Sequence, residues 1–130
     1  MKTIEVVAAL ITKDNSVLIA QRQSGEFSGM WEFPGGKIED NETHVEALIR
    51  EIHEELNLSI EVNEYLMTVE YDYSNFHLLM HCYYCTPLQD NFDILEHSEV
   101  KFVLYSELLE QNWLPADIQV VNEILKHKNF

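Results

Sequence analysis

The residues best equipped for chemistry lie in Gly35–Leu58, GGKIEDNETHVEALIREIHEELNL. From Thr43 onward, Val45, Leu48, Ile49, Ile52 and Leu56 recur at helical spacing and form the expected core stripe. With Glu51 at zero and about 100° per residue, Glu54 falls about 60° to one side and Glu55 about 40° to the other. Ala47 and Leu58 project into the same sector. Three carboxylates thus share one helix face, and like charges at this spacing weaken a helix. Hard divalent cations such as Mg²⁺ take oxygen ligands, which a carboxylate face supplies. Arg50, the only Lys or Arg on the helix, lies beside Glu51 and one turn before Glu54. It either orients those carboxylates or forms a plain surface ion pair of little worth. Gly35-Gly36 lets the backbone come close to the carboxylate face, where a carbonyl could add a ligand.

The elements that must position this face follow from pattern. Thr43 with Glu46 three residues later predicts a capping box, and Asn57 predicts the helix end, since Asn tolerates the left-handed backbone. Before the helix, Thr3–Thr12 reads as a buried strand, Asp14-Asn15 as a turn and Val17–Gln21 as the return strand of a hairpin. Gln23–Met30 reads as a loop, followed by a short aromatic segment, Trp31–Lys37. After the helix, Ile60–Tyr71, Phe76–Cys85 and Val100–Leu104 read as strands and Ser106–Gln111 as a short helical turn. Pro115 opens a last helix whose apolar face is Ile118, Val121, Ile124 and Leu125. The order predicts an α/β layered domain with a mixed sheet between helices.

At 130 residues the chain, 1–130, is expected to be a single domain. Lys plus Arg is 8 and Asp plus Glu is 23, a net charge of −15. That charge opposes binding to nucleic acid or to an anionic membrane. A phosphate-rich ligand would need a cation between it and the protein. The opening MKTIEVVAALITKD is interrupted by Glu5 and Lys13-Asp14 and reads as a strand rather than a signal peptide, so the expected compartment is the cytoplasm. Cys82 and Cys85, three apart on a strand, point to opposite faces and suit neither a disulfide nor a shared metal. His77, His81 and His97 are scattered and receive no role.

The spacing Gly36, Glu42, Arg50-Glu51-Ile52, Glu54-Glu55, Asn57-Leu58 resembles the Nudix signature: Gly, five residues, Glu, seven residues, Arg-Glu-apolar-any-Glu-Glu-any-Gly-apolar. It departs from the pattern at one fixed position, where Asn57 stands for Gly. That exchange is expected to cost some stability and to touch no ligand. Trp31–Lys37 resembles the lead-in of the MutT branch. IEVVAALI, Leu18–Arg22 and Leu114–Ile118 are similar to the CTP pyrophosphohydrolases within it. The resemblance implies an α/β/α sandwich around a mixed sheet, and hydrolysis of a nucleoside diphosphate linked to another group with Mg²⁺ or Mn²⁺.

By the same resemblance, Glu51, Glu54 and Glu55 are metal-binding carboxylates and Gly35 contributes a carbonyl. Glu96, or alternatively Glu99, supplies a further glutamate that binds metal or activates water. Arg22 and Lys37 match phosphate-contacting positions, and Glu42 with Arg50 orients the box. In MutT-like enzymes water attacks the β-phosphorus, releasing a nucleoside monophosphate and pyrophosphate. Glu51 or Glu54 is placed to take the proton. Asp117 stands at the position that reads the base, although an acid in a first helical turn also complements the dipole. An ionised Asp only accepts hydrogen bonds and cytosine offers its N4 amino group, so cytosine nucleotides, including modified ones, are expected; a buried Asp117 with a raised pKa would act as a donor and favour an oxidised purine instead. Phe33, Tyr71, Phe76 or Tyr83 are candidates for lining the base pocket.

The rival readings are a house-cleaning enzyme for oxidised purine nucleotides such as 8-oxo-dGTP, and a non-catalytic Nudix module that binds a nucleotide. Such modules usually lose box glutamates, which are all present here. The expected partners are a nucleoside triphosphate substrate, no nucleic acid and no membrane, with a monomer or homodimer as the oligomeric state.

Overall fold

The computed structural model describes residues 1–127. β1 (Lys2–Lys13) is the central strand, and Val, Ile and Ala dominate it because both of its faces are covered. It runs parallel to β6 (Phe76–Pro87), from Lys2 opposite Phe76 to Ile11 opposite Cys85. β5 (Ile60–Asp72) pairs antiparallel on the outer side of β6. At its other end β1 turns through Asp14, at φ 55°, into β2 (Ser16–Gln21). β2 then pairs antiparallel with β3 (Trp31–Glu32) and with β7 (Glu99–Leu104). β4 (Gly35–Lys37) lies against Val6–Ala8 of β1. The sheet is therefore mixed.

One helix covers each face. α1 (His44–Leu56) packs on the side of Val7, Ala9 and Ile11 through Leu48, Ile52 and Leu56. α2 (Pro115–His127) packs on the side of Ala8 and Leu10 through Val120, Val121 and Ile124. Alternation along β1 thus divides the core in two, and the expected α/β/α sandwich is present. Cys82 joins one cluster and Cys85 the other, and both thiols are free, as their spacing predicts. A 3₁₀ helix over Tyr105–Glu110 occupies the predicted helical turn. None of the described helices is long and apolar enough to cross a membrane.

Two expected core faces need correction. Val45 and Ile49 are 43% and 44% exposed, whereas Ala47 and Glu55 are buried. The buried stripe of α1 is rotated toward the carboxylates, because the small Ala47 lets that side of the helix approach the sheet. Ile49 is left at the far edge of the stripe and Val45 in the first turn ahead of it. On α2, Val120 is buried in place of the expected Ile118 and Leu125, which are only partly covered.

Candidate functional site

The ends of α1 form as their residues dictate. The Thr43 hydroxyl accepts from the Glu46 N–H at 3.1 Å and the Glu46 carboxylate accepts from the Thr43 N–H at 2.9 Å. Asn57 closes the helix in the left-handed conformation at φ 50°. Its side chain has a contact the sequence did not announce: the amide donates to Asp93 Oδ2 at 2.9 Å.

Between these ends Arg50 gathers the acids. Its Nε donates to Glu42 at 2.7 Å, its Nη1 to Glu51 at 2.9 Å and to Glu54 at 3.2 Å, and its Nη2 to the Lys37 carbonyl at 3.0 Å. A guanidinium can do this because its five donors are splayed in one plane. The Arg50 hydrogen bond holds the Glu42 carboxyl down to about 2, and the carboxylates in turn push the guanidinium further up. Arg50 thus bonds to three carboxylates and a carbonyl at once, more than an isolated surface ion pair would make.

Glu51 lies directly over Gly36, whose missing side chain leaves the space that the carboxylate fills. Glu55 turns into the protein and is only 5% exposed. Burial, then the neighbouring Glu51, Glu96 and Glu32 carboxylates, raises its pKa far above the ordinary range. Glu55 and Glu96 line a polar cavity with Gly35, Arg22, Glu32 and His97. His97 Nε2 stands 3.2 Å from Glu32 and 3.9 Å from Glu55, while its buried Nδ1 has no hydrogen-bond partner among the described residues. Carboxylates crowded so that one keeps its proton are a donor set that a hard divalent cation fits. Gly35, Glu51, Glu54, Glu55 and Glu96 remain the candidates to hold one.

A second, apolar cavity adjoins the first and shares Arg22, Glu32 and Gly35 with it. Phe27, Phe33, Tyr73, Phe76, Leu78 and Met80 supply its walls, and Asp117 adds a second acid to the shared Glu32. β3 builds this end. Trp31 pairs with Asn112 and Leu114, which brings the start of α2 beside Phe33. The Phe33 ring stacks on Trp113 at 4.9 Å and its N–H donates to Asp117 Oδ1 at 3.0 Å. Asp117 is 4% exposed, and burial, with Glu32 nearby, pushes its pKa up to about 8. A carboxyl shifted this way is driven toward its protonated form, which both donates and accepts, the case the sequence left open beside an ionised acceptor.

The structure brings together Arg22, Phe33, Gly35, Glu55, Glu96 and Asp117 around the joined cavities. Glu51 and Glu54 line neither; Arg50 holds both, and Glu51 lies over Gly36, which lines the apolar cavity. Glu99 sits in β7 opposite Gln21 and lines neither cavity, so Glu96 is the better placed of the two. Lys37 also stands apart from both; its carbonyl, bound by Arg50, is what it gives the site. Tyr71 and Tyr83 do not line the apolar cavity, because the first packs into the α2-side core and the second faces the α1 side. Tyr73, Phe27, Glu32 and His97 were missed. Their only signal was proximity in sequence to residues already singled out.

Residues 1–124 match the NUDIX domain. The chain belongs to the NUDIX family. The "CTP pyrophosphohydrolase" of Escherichia coli K12 is 34% identical over 126 residues, covering 96% of this chain and 93% of that protein. The "8-oxo-dGTP diphosphatase" of Proteus vulgaris is 42% identical over 81 residues, covering 61% of this chain and 72% of that one. Among solved structures, that of the E. coli ORF135 protein superposes with a TM-score of 0.84 at 33% identity, covering 97% of this chain and 91% of the other. Nudix hydrolases act on nucleotide phosphoric anhydrides and generally use divalent metal ions, in keeping with the donor set around Glu55.

Proposed function

We propose that this Nudix hydrolase converts nucleoside triphosphates, those of cytosine or a modified cytosine first, to the monophosphate and pyrophosphate, with Mg²⁺ as the cofactor and Mn²⁺ as a substitute. The observation that carries the reading is the joining of an acidic cavity to an apolar one through Arg22, Glu32 and Gly35. A nucleotide has the same two ends, and only a cation reconciles its phosphates with Glu51, Glu54, Glu55 and Glu96.

A bound divalent ion would neutralise phosphate charge and make water more acidic. The chain's own groups do the rest. Arg22, now paired with Glu32 at 3.1 Å, meets the phosphates. Glu51 or Glu54 takes the proton of the attacking water, whose oxygen bonds to the β-phosphorus as the bridging oxygen leaves with the monophosphate. Arg50 holds both glutamates in place.

The base meets Asp117. A neutral carboxyl matches a base edge carrying a donor beside an acceptor. Cytosine has one in its N4 amino group and N3, and the cytosine assignment of the E. coli relative agrees. The 8-oxoguanine edge, with N7–H beside O6, offers the same pair, so the neutral state of Asp117 also favours oxidised guanine as a second reading. Ordinary guanine shows two acceptors there.

The test is a panel of cytosine, modified-cytosine, 8-oxoguanine and guanine triphosphates with Mg²⁺, reading pyrophosphate and kcat/KM. Cytosine substrates should lead. Glu54→Gln should cost about 10²–10⁴-fold in kcat, and Glu96→Gln should cost far more than Glu99→Gln. Absence of pyrophosphate release from every triphosphate would overturn the reading, and a lead by 8-oxo-dGTP would transfer it to the second base.

A further inference from the structure

We propose that Glu5, His44 and His81 form a second metal site, for a transition ion of the Zn²⁺ class, where the first turn of α1 meets the sheet. One donor atom from each side chain lies within 4.8 Å of the other two. The three come from distant parts of the chain. Glu5 is on β1 and His81 on the neighbouring parallel strand β6, on the face that α1 covers, and His44 opens α1. His81 Nε2 stands 2.6 Å from Glu5 Oε2. The His44 ring lies nearly flat against that of His81, with centroids 4.2 Å apart and planes 19° apart, so an ion shared by both nitrogens would turn the rings out of this stack. The His81–Glu5 ion pair and the His44–Tyr83 hydrogen bond hold these side chains in place, and neither uses Nε2 of His44.

The outer nitrogens are already fixed. His44 Nδ1 is 2.7 Å from the Tyr83 hydroxyl, and His81 Nδ1 is 2.8 Å from Thr68 Oγ1, itself 2.7 Å from the Tyr65 hydroxyl. Imidazoles that bind metals characteristically have the far nitrogen held in this way, which sets the tautomer and the ring orientation.

Two nitrogens and one carboxylate suit Zn²⁺, Cu²⁺ or Ni²⁺, whereas Mg²⁺ prefers oxygen ligands throughout. The donor chemistry thus separates this site from the all-oxygen set around Glu55. His44 also lies seven residues ahead of Glu51, about 10 Å along the helix axis. The positive end of the α1 dipole opposes a cation here; Glu5 and the net charge of −15 favour one. Three protein ligands leave a fourth position for water or another small ligand. Bound metal would tie α1 to both β1 and β6.

The test is calorimetric titration of tag-free protein with Zn²⁺ in excess Mg²⁺, alongside the visible spectrum with Co²⁺. One equivalent should bind to the wild type and to Glu54→Gln, and raise the melting temperature of both. His44→Gln and His81→Gln should weaken binding at least about tenfold, and Tyr83→Phe, which releases only the outer nitrogen, about tenfold. Glu5→Gln, at a half-exposed position, decides the matter should a histidine variant fail to fold. The proposal fails if Mg²⁺ abolishes Zn²⁺ binding, or if Glu54→Gln loses it while His44→Gln or Glu5→Gln keeps it.

Discussion

A Cβ built on Gly36 would stand 2.4 Å from the Glu51 carboxylate, whereas one built on the adjacent Gly35 would stand 1.9 Å from the carbonyl oxygen of Val7. Two neighbouring glycines are therefore required for different reasons. Gly36→Ala pushes against the end of a side chain that Arg50 is holding, so the carboxylate must move. Activity should fall by about tenfold or more, since misplacement of around 1 Å is costly in catalysis, while the melting temperature changes little. Gly35→Ala collides with backbone in the β1–β4 pairing and should destabilise by about 1–3 kcal/mol. Thermal melts and kcat for the two variants check this; equal melting temperatures would contradict it.

Arg50→Lys retains charge but loses the planar fork. It cannot reach Glu42, Glu51, Glu54 and the Lys37 carbonyl together, so kcat should fall about 10–100-fold. Stability should also fall, in a pH-dependent way. Arg50 holds Glu42 down to about 2 from an ordinary value of 4.5. The folded state therefore binds this proton less readily than the unfolded chain. That contribution is complete above about pH 4.5 and disappears as pH falls through about 2. The gap in melting temperature between wild type and Arg50→Ala should be widest near neutrality and narrow in acid. A gap constant from pH 7 to pH 2 would show that Glu42 is not its source.

The α1 box was legible because its information is local. Spacing alone placed Glu51, Glu54 and Glu55 on one face, and Thr43, Glu46 and Asn57 marked the helix ends where they are found. The β1–β6 pairing was not legible, since it joins residues more than seventy positions apart. What depends on it was missed as well: the meeting of Glu5, His44 and His81, and the exclusion of Tyr83 from the apolar cavity. Asp117 was found by its position after Leu114-Pro115-Ala116. Its charge state stayed open between an ionised acceptor and a protonated donor, because burial and the nearness of Glu32 are properties of the folded chain.

Asn57→Gly tests a correction. Gly adopts the left-handed conformation more easily, but the exchange also removes the hydrogen bond from Asn57 to Asp93. The gain and the loss are each on the order of 1 kcal/mol. The melting temperature should therefore shift little, and kcat not at all, because neither group reaches the cavities. Asp93→Ala removes the partner alone and should lower the melting temperature. If Asn57→Gly were clearly stabilising, the Asp93 contact would be of no consequence.

Asp117→Asn tells whether the neutral or the ionised carboxyl reads the base. The folded pKa of about 8 stands above the ordinary 3.8. Between those values the folded chain keeps a proton that the unfolded chain has lost. Stability from this group is full below about pH 4 and declines as pH rises toward 8. Asn does not titrate, so the melting temperature of Asp117→Asn relative to wild type should rise over that range. Asn also resembles the neutral acid, with one acceptor and one donor, and its oxygen can keep the bond from the Phe33 N–H. The variant should therefore retain cytosine kcat/KM within about tenfold, and lose the decline in activity that wild type shows above pH 8. An ionised reader behaves differently. Replacing it forfeits a charge-assisted hydrogen bond on the order of 1.5–3 kcal/mol, a ten- to hundredfold loss confined to cytosine substrates. That selective loss, without an alkaline limb in the wild type, would show that the substrate restores the charge on Asp117.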